Sequence, residues 1–278
     1  MITIEIMGGL GNQLFQVFAL ISYALINKQP FFFENKVSER VDRPLYWDNF
    51  LSNLKPFVRH ENAIALPVYR EPKFDYTEIT PFDRINGPFK MLGYFQSYKY
   101  FEENQSDILR LIKFDKQQEE THLKHSNLSL ENTISLHFRI GDYKLLQDCH
   151  PLVGVEYYKK CLHNIIENTG KNDWNVLYFY EEMDNDMVEA NIKEIKKEFG
   201  SLQFVPIDIK LADYTQMILM SLCQHNIIAN SSFSWWGAHL NKNEEKIVCY
   251  PNPENWFGPG IGKKNMTTMF PNGWHKVI

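Results

Sequence analysis

His137, Arg139, Gly141 and Asp142 crowd into "SLHFRIGDYK", residues 135–144, where an apolar strand pattern runs straight into charged and titratable side chains. Alternation along an extended chain sends His137 and Arg139 to one side and Phe138 and Ile140 to the other. Arg139 keeps its charge and offers a planar, two-pronged donor, which suits a diphosphate better than the point charge of a lysine. Taken singly, Arg139 reads as an ion pair with Asp142, and His137 as a satisfied core histidine. Together at one strand end they point to an anion approaching from outside the chain.

Two further stretches carry the same kind of chemistry. In "MGGLGNQLFQ", residues 7–16, Gly8, Gly9 and Gly11 let the backbone turn tightly and approach a ligand, while the helix that follows offers free N–H groups. The spacing is neither the dinucleotide G-x-G-x-x-G nor a P-loop, so a tight structural turn is an equal reading. In "NIIANSSFSWWGAHL", residues 226–240, Asn230, Ser231 and Ser232 follow a short apolar run. They can cap a helix that starts near Ser232, and with its N–H groups as far as Phe233 they form an anion cradle. Trp235 and Trp236 read as packing. Asp184 and Asp186 in "MDNDM" are the one D-x-D-like pair that could hold a divalent metal, but they precede a helical pattern and read as helix capping.

The elements that must position these residues follow from periodicity. "ITIEIM" reads as a strand, and Leu14, Phe18, Ile21 and Leu25 share one face of the next helix. In the second half, apolar runs at "TISLHF", "NVLYFY", "LQFVPI", "NIIAN" and "KIVCY" alternate with amphipathic stretches at 155–168, 186–199, 213–224 and 233–241. That alternation predicts an α/β fold with a parallel sheet and right-handed crossovers. Ligands of such sheets bind beyond the carboxyl ends of the strands, which selects "HFRIGDY" and "NSSFSWWG". The polar "KHSNLSLEN" suggests a domain boundary near 125–132. Residues 40–130 give no readable topology.

Composition bounds the function. The 278 residues carry a net charge of −5, which argues against nucleic acid as a partner. Cys149, Cys161, Cys223 and Cys249 form no CxxC pair and read as reduced thiols of a cytoplasmic-type compartment. Neither a secretory signal nor an apolar stretch of membrane-spanning length is visible, so the chain reads as soluble.

With those motifs in hand the chain resembles the glycosyltransferase family 11 alpha-1,2-fucosyltransferases. The resemblance runs through "GGLGNQLFQ", "GYFQSYKYF", "HFRIGDY", "LMSLCQHNIIANSSFSWWGAHLN" and "PNGWHKV", in that order. It implies a GT-B-like architecture, two Rossmann-like domains facing a central cleft, with 1–130 on the acceptor side and 131–278 binding GDP-fucose. It further implies inversion at the fucose anomeric carbon, no metal and no cofactor beyond the donor substrate. Carried over by position, Arg139 would contact the diphosphate, His137 and Asp142 would shape the same catalytic pocket, and Asn230, Ser231, Ser232 and Phe233 would help hold phosphate. Gly8, Gly9, Gly11 and Asn12 would line the opposite side of the cleft.

Two positions depart from the family pattern. Ile140 stands where a second Arg is common, and His239 where a Trp is usual. The resemblance points to a terminal beta-galactoside acceptor, met by residues 40–130, where Tyr46, Trp47, Tyr94 and Phe95 are scattered aromatics that read mainly as core. Aromatic surface there could support a homodimer. His137, Asp142 and Glu5 are candidate bases, unless the leaving phosphate itself takes the proton. Another linkage from the same donor, or a non-catalytic glycan or nucleotide binder, are the competing readings.

Overall fold

The computed structural model describes residues 1–36, 44–59, 65–85 and 87–278. The chain divides into two units, Met1–Gln117 with Asn265–Pro271, and Gln118–Lys264 with Asn272–Ile278. The sequence suggests a boundary at the polar 125–132 stretch, yet the division falls between two neighbouring glutamines. Gln117 Nε2 donates to the carbonyls of Phe50 (3.2 Å) and Ile112 (2.8 Å) in unit 1. Gln118 is buried and its Nε2 donates to Ser221 Oγ at 2.9 Å in unit 2. A buried amide needs its partner, so these bonds hold each glutamine in its own unit.

Unit 1 contains β1 (Ile2–Ile4), α1 (Leu10–Ile26), β2 (Phe33–Glu34), β3 (Val58–Arg59), β4 (Val68–Arg70), β5 (Phe89–Leu92) and α2 (Gln105–Leu111), and α3 (Phe114–Lys124) begins in it. Three parallel strands form one sheet in the order β1-β5-β4, and β2 and β3 pair separately in parallel. The segment 265–271 returns to this unit. Thr268 N–H donates to Asp75 Oδ1 at 3.0 Å, and Thr268 O accepts from Ser97 Oγ at 2.7 Å. Of the aromatics noted above, Tyr46, Trp47 and Phe95 belong to the core, and Tyr94 is exposed.

Unit 2 holds one six-stranded sheet built from β6 (Thr133–His137), β7 (Asn175–Phe179), β8 (Gln203–Pro206), β9 (His225–Ile227), β10 (Val248–Pro251) and β11 (His275–Val277). Every pairing is parallel and the order is β11-β10-β9-β6-β7-β8. This is the doubly wound order, in which the winding reverses between β6 and β9. The helices α4 (Val155–Thr169), α5 (Asn185–Lys196), α6 (Asp213–Leu222) and α7 (Ser232–His239) match the four amphipathic stretches read from sequence.

Strand alternation sorts the core onto two faces. Val176 and Tyr178 of β7 join Ile134, Leu136, Phe138 and Ile140 against Tyr158 and Leu162 of α4 and Ile192 of α5. Leu177 and Phe179 turn the other way, toward Leu219 and Met220 of α6. The even-numbered residues from 134 to 140 thus belong to the α4/α5 face, which leaves His137 and Arg139 opposite, as alternation requires. A buried polar knot stiffens the centre: Asn226 Nδ2 donates to Ser135 Oγ (2.7 Å) and Met220 O (2.8 Å), and Asn241 Nδ2 to Asn226 Oδ1 (2.8 Å). Each member has partners, so the knot fixes β6, β9 and α6 rather than weakening them.

His225, at the start of β9, is buried; its Nδ1 accepts the Ile247 N–H at 3.0 Å and its ring packs edge-on to Trp174. Burial, helped by Lys171, lowers its pKa from 6.5 to about 4. Between those values the unfolded chain binds the proton and the folded one does not, so stability is complete above pH 6.5 and falls on acidification. The limiting slope is about 1.4 kcal/mol per pH unit. The urea midpoint should drop from pH 7.5 to pH 5, and His225→Asn, which keeps an acceptor for Ile247, should lessen that drop without abolishing it, since the buried His137 and His239 are lowered to about 3 as well.

Candidate functional site

The loops that leave β6 and β9, on either side of the reversal point, carry the residues singled out by sequence. Phe138 N–H still bonds Phe179 O at 2.9 Å, so the chain stays in register with β7 until it reaches Arg139. There the guanidinium is clamped: Nη1 donates to Glu181 Oε1 and Nη2 to Asp142 Oδ1. Its carbon lies 4.6 Å from the centre of the Tyr143 ring. The Arg139 side chain is 15% exposed, whereas both carboxylates are about half exposed. Burial opposes its charge, but Glu181, Tyr143 and Asp142 outweigh that and hold it charged more firmly than an exposed arginine.

Gly141 makes this clamp possible. Its φ is +33°, and a Cβ there would lie 2.8 Å from Arg139 Nη1 and 2.9 Å from Glu181 Oε2. The turn Gly141–Leu145 that follows brings Tyr143 beneath Arg139. Tyr143 OH reaches back to the Asn230 carbonyl at 3.3 Å, which ties the β6 loop to the β9 loop. The other face of Tyr143 stacks on His150, with centroids 4.6 Å apart.

His137 is buried at the end of β6, with its ring centre 5.5 Å from that of Phe233. Burial, and then Arg139, push its pKa down to about 3, so the ring is neutral at ordinary pH. Its Nδ1 has no hydrogen-bond partner among the described residues. Asn230 is buried as well; its Nδ2 donates to Pro151 O (2.8 Å) and Trp256 O (3.3 Å), and its Oδ1 has no such partner. Ser231 caps α7, accepting the Phe233 N–H at 3.3 Å, which leaves the Ser231 hydroxyl hydrogen as a donor. Ser232 opens α7 and is half-buried.

The glycine motif sits at the carboxyl end of β1, in unit 1. Gly8 has φ +75°, and a Cβ would lie 2.6 Å from Asn12 Nδ2. Gly9 stands at the N-cap of α1, and Gly11 is buried in its first turn. Two buried glutamines hold this turn. Gln13 Nε2 donates to Gly8 O at 2.9 Å, and Gln16 Oε1 accepts the Met7 N–H at 2.9 Å. Asn12 Oδ1 accepts from Gln96 Nε2 at 2.7 Å. Glu5, just after β1, is half-buried. The structure therefore brings Gly8, Gly9, Gly11 and Asn12 together in one unit, and His137, Arg139, Asp142, Asn230, Ser231, Ser232 and Phe233 together in the other.

One sequence reading needs correction. Asp184 occupies the N-cap position of α5 but makes no side-chain capping bond. Its side chain is fully buried, Oδ2 accepts the Gly141 N–H at 2.6 Å, and Oδ1 faces Lys144 Nζ at 2.7 Å. Asp186 is exposed in the first turn of α5. Among the described residues no group of three or more His, Cys, Asp or Glu is gathered for a metal ion. Glu181 and Asp184 escaped sequence reasoning as partners of Arg139 and Gly141, because only their place after a strand could have signalled them.

Ile140, where the family often has Arg, is 6% exposed and packs into the core beside Phe138. His239 stacks on Trp235 at 4.5 Å. Unit 2 also holds a cavity of about 750 Å³ walled by Pro151, Leu152, Tyr157, Pro251 and Phe257 with Lys160. None of the residues predicted from sequence lines it.

The family model of glycosyl transferase family 11 matches residues 1–274. The chain belongs to that family. Among curated relatives it is 26% identical over 306 residues to the O-antigen biosynthesis glycosyltransferase WbnK of Escherichia coli, covering 94% of this chain and 96% of that one. It is also 25% identical over 272 residues to an Escherichia coli alpha-1,2-colitosyltransferase, covering 90% of each. Among solved structures, a mutant of Arabidopsis thaliana FUT1 in complex with GDP covers 99% of this chain over 75% of its own, at 12% identity and a TM-score of 0.49. By family, then, the chain is a glycosyltransferase of glycan biosynthesis. Among the described residues no helix is long and apolar enough to cross a membrane.

Replacing Gly141 by Ala forces a Cβ between Arg139 and Glu181 at a positive φ. The expected cost is about 1–3 kcal/mol, to be read as a lowered urea midpoint at unchanged m-value.

Proposed function

We propose that this glycosyltransferase moves L-fucose from GDP-fucose to a hydroxyl of a terminal beta-galactoside, forming an alpha-1,2 linkage with inversion and without a divalent metal. The observation that carries this reading is Arg139, largely buried and doubly paired, at the carboxyl end of the strand beside the reversal point. A guanidinium has five N–H groups, and the two carboxylates take one each, so phosphate oxygens can be received without dismantling the clamp. The motif resemblance supplies the identity of the nucleotide and sugar. Commitment of Asp184 to Gly141 and Lys144 supports the metal-free reading, because it removes that carboxylate from the D-x-D pair.

In this mechanism the acceptor oxygen attacks the fucose anomeric carbon from the face opposite the phosphate. The bond from that carbon to the phosphate oxygen breaks, and its electron pair stays on the diphosphate. Arg139 and the Ser231 hydroxyl are the donors aimed at the growing negative charge, where preorganised donors contribute most. His137, buried and held neutral, shapes the floor of the pocket beside Phe233. An imidazole pushed down to about 3 holds a proton poorly at neutral pH, and Asp142 is engaged with Arg139. With those two set aside, Glu5 and the departing diphosphate itself are the groups left to take the acceptor proton, and Glu5→Gln with unchanged transfer would assign it to the diphosphate.

One observation favours a second donor sugar, the relative named an alpha-1,2-colitosyltransferase. Side-by-side assays with fucosyl and colitosyl nucleotides, followed by NMR of the product linkage, distinguish the two. Arg139→Ala should lower fucosyl transfer by about a hundredfold or more, the scale of losing one aimed donor. Steady-state kinetics with GDP-fucose check this, and prolonged dialysis against EDTA should leave the wild-type rate unchanged. Near-wild-type turnover of Arg139→Ala would remove the guanidinium from the mechanism.

A further inference from the structure

Asp184 stands at a helix N-cap, where a carboxylate ordinarily bonds its own helix amides and contributes about 1 kcal/mol. It does not do so here. The side chain turns instead across to the loop that leaves the neighbouring strand, and it is fully buried. Oδ2 takes the Gly141 N–H at 2.6 Å and Oδ1 faces Lys144 Nζ at 2.7 Å. Lys144 Nζ also donates to Met183 O at 3.4 Å, so the turn from Gly141 to Leu145 is pinned at its first and fourth residues. The residues between those pins are Asp142, which pairs with Arg139, and Tyr143, on whose ring Arg139 lies.

We propose that Asp184 is the positioning residue for Arg139: it sets the Gly141 turn, and the turn holds the guanidinium in the orientation that receives the diphosphate. This rests on the reading of Arg139 as the diphosphate-binding group. Among the described residues no hydrogen bond or ion pair joins Asp184 to Arg139, and the Asp184 side chain is fully buried. It acts through Gly141, which lies so close to the Arg139–Glu181 pair that a Cβ would fall 2.8 Å from Arg139 Nη1, so a displacement of the turn reaches the guanidinium directly.

A double-mutant cycle on GDP affinity, measured calorimetrically with the full chain, tests the proposal. Asp184→Ala should weaken GDP binding about tenfold, the effect of a misplaced but still present donor. In the Arg139→Ala background the same substitution should change GDP affinity less than twofold, because nothing remains to be positioned. Asp184→Asn keeps the shape and one acceptor for Gly141, so it serves if the alanine variant fails to fold; it should show the same coupling with a smaller loss. GDP affinity within twofold of wild type in the Asp184 variants, with Arg139 intact, would overturn the proposal. Equal losses in both backgrounds would overturn it too, by assigning Asp184 to general stability. If Arg139→Ala alone leaves GDP affinity unchanged, the assignment of Arg139 fails first, and that outcome is distinct from the other two.

Discussion

A guanidinium drawn largely out of water must keep its counter-charge within hydrogen-bond reach, because neither a bare buried cation nor a neutral arginine is available to a folded chain. Arg139 meets that requirement with one carboxylate from its own turn and one from the loop after β7. The rest of the carboxyl edge of unit 2 follows from this pairing. Gly141 has to be glycine because the pair fills the space a Cβ would take. β6 and β7 have to be neighbours in register, His137 opposite Phe179, for Glu181 to arrive at the right height.

The doubly wound order supplies the opening in which such a cluster can sit. Helices α4 and α5 pack on one face of the sheet and α6 on the other, so the loops after β6 and β9 leave in opposite directions. Tyr143 bridges them with its hydroxyl on the Asn230 carbonyl. Burial raises the pKa of that hydroxyl, so it keeps the proton the bridge needs. Asn230 in turn fastens the β9 loop to Pro151 and Trp256. Side chains that a motif search would assign to a ligand thus also hold one another.

Much of unit 2 was legible in the sequence because its signals are local. Alternation in "TISLHFRI", amphipathic spacing in the four helices and the Ser231 cap are all set by residues within a few positions of each other. The partners of Arg139 and Gly141 were harder, since Glu181 lies 42 residues from Arg139 and Asp184 lies 43 from Gly141. An acidic residue before a helix looks like a cap, and only the fold reveals that Asp184 has turned away. In unit 1 the strands β3, β4 and β5 are two to four residues long and partly exposed, too short for a period to emerge. Gln13 and Gln16 resemble surface residues of a helix, yet both are buried against the glycine turn.

The return of residues 265–271 to unit 1 has a consequence for biosynthesis. Asp75 is 9% exposed and receives both the amide and the hydroxyl of Thr268. During translation the amino-terminal unit emerges first, but this carboxylate waits nearly two hundred residues for its partner. The ribosome therefore has to add residues through Thr268 before the earlier unit can close, and a nascent chain truncated at Gln117 would lack a structural piece of its own domain.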